Sequence, residues 1–154
     1  MKELNPDFVR EIKERINQAP FFKLLGMSIY ELKRGYCEIR LPVRRDHLQP
    51  YGMVHGGVCS ALVDAACFWA VCTEAKDTSS LTTVELKLNY LGPVKEGELR
   101  AFGRCIKMGR RLGLGQAEVK DQEGRLVAFG TSTLAVVEGL SISGETNLPP
   151  KFLG

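Results

Sequence analysis

Asp64 is an ionisable side chain in the middle of a small, apolar run that extends from residue 55 to residue 70. Taking a carboxylate out of water costs several kcal/mol, so the charge persists only if it is paired, solvated by a cavity or used in a reaction. A carboxylate in such surroundings can act as a general base or as a nucleophile. The structural alternative is a hydrogen bond to Ser60 or Thr73, or simple exposure to solvent.

The residues that begin the run, His55, Gly56 and Gly57, could bind a developing negative charge. If a helix starts here, its first N–H groups have no partners within the helix, and the helix dipole favours an anion beside them. Glycine also lets a ligand approach the backbone closely. The alternative for the glycine pair is a flexible helix start without a ligand. His55 could be a catalytic base, but we favour a role in bracing the loop through hydrogen bonds to the backbone.

Two further side chains of the run are rival nucleophiles. Cys59 lies four residues after His55, on the same helix face and near the helix N-terminus, where thiolates are favoured. Ser60 lies four residues before Asp64 and is placed to hydrogen-bond to it, but no histidine is placed to deprotonate the Ser60 hydroxyl. We favour a packed thiol for Cys59, because a Cys–His site would leave Asp64 unexplained.

The composition indicates one soluble domain and excludes several functional classes. At 154 residues the chain is long enough for one core and too short for two, so we expect a single domain over residues 1–154. The net charge of +3 is small and the basic residues are dispersed, which argues against a nucleic-acid partner. No segment has the pattern of a signal peptide or a membrane span. Five cysteines without a C-x-x-C pair indicate a reducing, cytoplasmic location, and two histidines without a suitably spaced carboxylate predict no metal site.

The periodicity of apolar residues predicts the elements that must position these side chains. Residues 6–19 have a helical period after an Asn-Pro start, and the apolar run is long and Ala-rich enough for a second, buried helix. Glycines, prolines and charged turns separate the remaining strand-like runs, and their short connections favour an antiparallel meander. The expected strands cover residues 26–32, 36–41, 84–90, 99–108, 114–120 and 126–137, and a C-terminal extension follows over 138–154.

One antiparallel sheet wrapped around one long helix accounts for this order of elements. A flat sheet would leave the far side of an apolar helix in water, whereas a curved sheet buries both elements. We therefore predict an α+β protein with the hotdog fold, a core over residues 20–137 and an extra N-terminal helix on the outside.

Three groups of residues resemble the phenylacetic-acid-degradation type of hotdog thioesterases, which hydrolyse acyl-CoA and aryl-CoA thioesters. They are His47-x-Gln49-x-x-Gly52-x-x-His55-Gly56-Gly57, the triplet Leu62-Val63-Asp64 and the strand Val84-x-Leu86-x-Leu88-x-Tyr90-Leu91. The resemblance covers residues 20–137. It implies a homo-oligomer, either a dimer or a dimer of dimers, that uses no cofactor, because coenzyme A is part of the substrate.

The resemblance also implies roles for single residues. The carboxylate at the position of Asp64 is the general base or the nucleophile, and the backbone N–H at the position of Gly56 polarises the thioester carbonyl. Gln49 stands where many members carry asparagine, and its amide could bond the carbonyl or the water. Thr83 matches a position where members often place a hydroxyl that holds the water. The remaining substrate contacts implied or expected are Gly57, Ser60 and Tyr51, with Lys107, Arg110 and Arg111 as candidates for the phosphates of coenzyme A.

Helix geometry separates His55 from Asp64. Nine residues at about 100° each place them on opposite faces and roughly 13 Å apart along the axis, so they cannot meet one carbonyl. A working site would combine Asp64 of one chain with Gln49, His55 and Gly56 of another, as in dimers of this family. Two alternatives stay open. One is an acyl-CoA hydratase or dehydratase, for which no second acid–base pair is visible, and the other is a non-catalytic acyl-CoA binding or sensing protein.

Overall fold

The computed structural model of the protein describes residues 2–142 and 148–154. Within these residues the chain forms helices and strands in the order α1 (Pro6–Asn17), α2 (Pro20–Leu25), β1 (Ser28–Lys33), β2 (Tyr36–Pro42), a 3₁₀ turn (Arg45–His47), α3 (Gly56–Cys72), β3 (Ser80–Tyr90), β4 (Glu98–Met108), β5 (Leu112–Lys120) and β6 (Leu126–Val137). Both predicted helices and all six predicted strands are present, with ends that differ from the prediction by a few residues.

Helix α1 begins where the Asn-Pro pair predicts. The side chain of Asn5 accepts a hydrogen bond from the backbone N–H of Asp7 at 3.0 Å, and Pro6 occupies the first turn, where a missing N–H costs nothing. Helix α1 packs on β1, and its buried residues are Phe8, Ile12 and Ile16. Pro20 ends this helical region as predicted, but it also begins α2, a short helix that was not predicted.

The strands form one antiparallel sheet in the order β1-β2-β4-β5-β6-β3. The predicted meander is correct for β4, β5 and β6, which pair with their neighbours in sequence. It is wrong for β3, which pairs with β6 instead of β4. The reason is that α3 carries the chain across the sheet from β2 to the far side, so β3 becomes an edge strand. Within the described part of the chain, the outer row of backbone groups on β3 has no partner strand.

A β-bulge interrupts β3 at Val84. Thr83 pairs with Leu134 and Glu85 pairs with the adjacent Thr133, so Val84 is an extra residue without a cross-strand partner. Side chains of a regular strand alternate between the two faces, and one extra residue reverses that alternation. From Leu86 onward, apolar side chains alternate with polar ones. In a regular strand that alternation would continue back to Thr83 and point it away from α3. The bulge at Val84 reverses the alternation, so Thr83 faces α3.

Helix α3 contacts all six strands, and the expected hotdog arrangement of one sheet around one helix is confirmed. Two glycines of the sheet permit the close approach. A Cβ added at Gly115 would lie 2.9 Å from the Cβ of Cys67, and a Cβ at Gly103 would collide with the carbonyl oxygen of Ala66. None of the helices in residues 2–142 and 148–154 combines the length and the apolar character that a membrane span needs.

The last residues of the chain pack against the segment before α1 and against the end of α3. Leu4 forms a β-bridge with Phe152, and the backbone N–H of Asn5 donates to the carbonyl of Lys151 at 2.8 Å. The buried Lys151 ammonium donates to the backbone carbonyls of Cys72, Ala75 and Lys76 at 3.1, 3.1 and 3.2 Å. Cys72 is the last residue of α3, and Ala75 and Lys76 lie in the segment that follows, so the ammonium sits beside a helix C-terminus, where the helix dipole favours a cation. Of the predicted extension over 138–154, residues 143–147 lie outside the described residues.

Candidate active site

The sheet leaves one stripe along α3 uncovered. Gly57 is exposed, and Ser60, Asp64, Phe68 and Cys72 are only partly buried, whereas most residues between them are buried. Positions three or four apart lie on one face of a helix, so these five residues share a face. We call this face the open stripe. It carries the single carboxylate of α3, and a substrate or a second subunit can reach the helix here.

Asp64 is held on the open stripe by two hydroxyl groups. Thr83 Oγ1 donates to Asp64 Oδ1 at 2.8 Å, and Ser132 Oγ lies 3.4 Å from the same oxygen. The other carboxylate oxygen, Oδ2, accepts no hydrogen bond from the described residues. Two donors on one oxygen set the orientation of the carboxylate and leave the second oxygen available to a water molecule or a substrate.

Only one of these two hydroxyls was predicted from the sequence. Thr83 was expected to hold a water molecule, and the structure shows it bonded directly to Asp64. Ser132 was missed, because it lies 68 residues away on β6 and no local pattern links it to the helix. Ser60, an alternative hydrogen-bond partner for Asp64 in the sequence, does not bond to it. The Ser60 hydroxyl donates instead to the carbonyl oxygen of Gly56 at 3.1 Å.

His55 caps the N-terminus of α3. Its Nδ1 accepts a hydrogen bond from the backbone N–H of Gly57 at 2.8 Å, which agrees with the bracing role favoured for it. The N–H of Gly57 is therefore occupied within the chain. The N–H of Gly56 makes no hydrogen bond within the described residues, so it is the amide available to an oxyanion. Asp64 is eight residues after Gly56 in the helix, a distance of about 12 Å along the axis.

Tyr90 covers the start of α3. A Cβ added at Gly56 would lie 2.8 Å from two ring carbons of Tyr90, and the Tyr90 hydroxyl lies 3.0 Å from Ser60 Oγ. A cavity of about 340 Å³ opens beside this contact. Its walls include Gly56 and the apolar residues Val54, Cys59, Val94 and Val127. A ligand in this cavity would therefore lie next to the available amide.

In the loop before α3, both polar atoms of the His47 side chain are bonded within the chain, whereas Gln49 keeps a donor available. His47 is buried: Nδ1 accepts from the backbone N–H of Arg44 at 3.0 Å, and Nε2 lies 2.8 Å from the carbonyl oxygen of Leu25, to which it must donate. Its role here is to fix the loop. The side-chain oxygen of Gln49 accepts from the N–H of Tyr51, while the amide NH₂ of Gln49 bonds to none of the described residues and can donate to a ligand.

The three basic residues of the β4–β5 hairpin lie on the surface. Lys107, Arg110 and Arg111 are all exposed, and none of them forms an ion pair with another described residue. The hairpin lies near Val71, in the last turn of α3. The three charges are therefore available to an anion, and the structure does not bring them beside Gly56 of the same chain.

The cysteine of the rival Cys–His site is buried. Burial raises the pKa of the Cys59 thiol to about 11, so the thiol stays protonated near neutral pH. His55 Nδ1 already accepts from Gly57 and does not activate the sulfur. These observations agree with the packed thiol favoured above.

The sequence model of the thioesterase superfamily matches residues 51–128, which contain all of α3 and β3. The chain belongs to the thioesterase superfamily. A protein of Saccharolobus solfataricus that is named provisionally as an esterase is 32% identical over 128 residues, which cover 83% of this chain and 85% of that protein.

Two further relatives carry more specific names. The 1,4-dihydroxy-2-naphthoyl-CoA hydrolase of Listeria monocytogenes is 23% identical over 112 residues, 73% of this chain and 91% of that enzyme. The solved structure of a variant of a phenylacetic acid degradation protein from Thermus thermophilus superposes with a TM-score of 0.71 at 28% identity. That superposition covers 77% of this chain and all of the other.

Proposed function

We propose that this protein hydrolyses acyl-CoA or aryl-CoA thioesters as a thioesterase of the phenylacetic-acid-degradation type. The observation that carries the proposal is Asp64 on the open stripe, with Oδ1 held by two hydroxyls and Oδ2 available. Membership of the thioesterase superfamily and the names of the Listeria and Thermus relatives support it.

The reaction needs a base or nucleophile and a donor for the developing oxyanion. As a base, Asp64 Oδ2 takes a proton from a water molecule whose oxygen attacks the thioester carbon. The carbonyl oxygen becomes negative and is stabilised by the Gly56 N–H, with the Gln49 amide as a further donor. The C–S bond then breaks, the free acid forms, and the proton from Asp64 neutralises the coenzyme A thiolate. As a nucleophile, Asp64 would attack the thioester carbon, the C–S bond would break, and the coenzyme A thiolate would leave and take a proton from solvent. Water would then hydrolyse the resulting anhydride to the free acid and the Asp64 carboxylate.

The site is shared between two subunits in this proposal. Asp64 and the Gly56 amide of one chain are about 12 Å apart along α3, too far to contact one carbonyl group. The open edge of β3, with the exposed apolar side chains of Val84 and Leu91, is a surface on which a second copy can pack. A dimer, or a dimer of such dimers, would then bring Asp64 of one subunit to the Gly56 turn of the other.

The basic hairpin and the cysteines complete the proposal. Lys107, Arg110 and Arg111 are exposed cations without ion-pair partners among the described residues, and they suit the phosphates of coenzyme A. All five cysteines are free thiols, which fits a reducing compartment such as the cytoplasm.

A thioester panel tests the proposal. Wild-type protein should release coenzyme A from acyl-CoA or aryl-CoA substrates, and Asp64→Asn should lower kcat by at least about 100-fold, the usual effect of losing a general base. Asp7→Asn makes the same chemical change on an exposed carboxylate of α1 and should leave kcat unchanged. Undiminished turnover by Asp64→Asn, or tight binding of acyl-CoA without hydrolysis by the wild type, would refute the proposed activity.

A further inference from the structure

A second cavity, of about 420 Å³, lies between α1, the C-terminal half of α3, the start of β3 and the last residues of the chain. We call it the distal cavity. Eight large apolar side chains line it and come from all four of these segments; among them are Phe8, Ile12, Phe68, Trp69, Leu81 and Leu148. The proposed chemistry at Asp64 and Gly56 uses none of them.

The distal cavity begins where the proposed site ends. Phe68 lies one helical turn beyond Asp64, and Cys72 lies one turn farther, so both lie on the open stripe and both line the cavity. Leu81 lies two residues before Thr83 on the same face of β3, and Thr83 bonds to Asp64. On both α3 and β3, residues that line the cavity therefore lie next to the residues of the Asp64 site.

The far end of the cavity is polar. It is formed by Asp77, Thr78, Ser79 and Ser80, together with Lys151. An ammonium group has three N–H donors, and those of Lys151 meet three backbone carbonyls, so none remains for a ligand. The Asp77 carboxylate, which accepts the backbone N–H of Lys151 at 3.0 Å, would repel a second carboxylate. This end of the cavity therefore does not suit an anionic group. An apolar chain that extends into it gains no further binding energy from burial.

We infer that the distal cavity binds the acyl chain of the substrate and selects a chain of medium length. This inference rests on the proposed function, because it assigns the acyl group of the same reaction. The distance from Asp64 to Cys72 along α3 is about 12 Å, the length of roughly eight to ten carbons of an extended chain. An aryl group as short as phenylacetyl would leave most of the cavity empty.

The test compares kcat/KM for acetyl-, hexanoyl-, octanoyl-, decanoyl-, dodecanoyl- and phenylacetyl-CoA. The ratio between two substrates on one preparation does not depend on how much of that preparation is folded. Wild type should gain about fourfold for each methylene from hexanoyl to octanoyl, the usual effect of burying one methylene, and the gain should stop near ten carbons.

Two variants change the cavity in opposite directions. Leu148→Trp fills it and should lower the octanoyl-to-acetyl ratio at least tenfold. Phe68→Ala widens it and should raise the dodecanoyl-to-octanoyl ratio. Leu24→Trp, on an exposed position of α2 that lines neither cavity, should leave every ratio as in the wild type. The inference would be overturned if both cavity variants had the same ratios as the wild type. It would also be overturned if the wild type preferred phenylacetyl-CoA, or an octanoyl-CoA with a terminal carboxylate.

A binding measurement separates this inference from the proposed function. S-octyl-CoA is a thioether that cannot be hydrolysed, so its affinity relative to coenzyme A reports the cavity without any turnover. A protein that hydrolyses no thioester but binds S-octyl-CoA more weakly after Leu148→Trp would refute the proposed activity and support the cavity. A protein that hydrolyses thioesters but binds S-octyl-CoA no better than coenzyme A would support the activity and refute the cavity.

Discussion

The division of one active site between two subunits can be tested by removing a single backbone N–H. Gly56→Pro deletes the proposed oxyanion donor at a helix position that proline tolerates well. His55, the preceding residue, already has φ −64° and ψ 138°, the extended conformation that a following proline requires. Gly56→Ala is the matched control, because it places a similar Cβ against the Tyr90 ring and keeps the N–H.

Losing one oxyanion donor usually lowers kcat by 100-fold or more, about 3 kcal/mol of transition-state stabilisation. Gly56→Pro homodimers should therefore be nearly inactive, as should Asp64→Asn homodimers. In a heterodimer of the two chains, one site combines an intact Asp64 with an intact Gly56 and the other site combines both defects. The expected activity is about half that of the wild-type dimer, since one of two symmetric sites works.

The assay needs heterodimers of defined composition. The two chains are coexpressed with different affinity tags, purified over both, and assayed by thiol release from an acyl-CoA that the wild type hydrolyses. A second heterodimer joins a wild-type chain to a chain that carries both Asp64→Asn and Gly56→Pro. A shared site predicts activity in the first heterodimer and almost none in the second. A site within one chain, which the separation of about 12 Å along α3 excludes, predicts the reverse, and that result would refute the reasoning.

Three further predictions concern single side chains. Thr83→Val removes the hydroxyl that orients Asp64 and should lower kcat about tenfold with little change in KM. Thr83→Ser keeps a hydroxyl and should retain most of the wild-type kcat. An unchanged kcat in Thr83→Val would show that Asp64 needs no such anchor. Because burial raises the pKa of the Cys59 thiol to about 11, the group stays protonated at pH 8, so Cys59→Ala should keep wild-type turnover. Loss of activity in this variant would favour a thiol mechanism. Lys151→Met removes the cation at the end of α3 and should lower the free energy of unfolding by about 1–2 kcal/mol in urea titrations. Lys33→Met, at an exposed position, is its control, and equal effects of the two variants would contradict the capping role.

The local parts of the fold were predictable because their causes are local. The Asn-Pro start of α1, the length of the apolar run in α3 and the turns between strands all depend on residues adjacent in sequence. Helix α2 was not predicted, because Pro20 reads equally well as the end of one helix and as the first residue of the next. The pairing of β3 with β6 was also not predicted, since short connections favour neighbouring strands and only the path of α3 across the sheet places β3 at the edge.

The sequence by itself determined which groups are available for chemistry: one carboxylate in an apolar helix, and a glycine pair at the start of that helix. It also set the distance between Asp64 and Gly56, because the rise per residue of an α-helix is constant. Only the tertiary structure decided what orients the carboxylate. Ser132 comes from a strand 68 residues away, and Thr83 faces Asp64 because the bulge at Val84 reverses the alternation of side chains. Register and bulges depend on how strands pair across the sheet, and no short-range pattern along one strand carries that information.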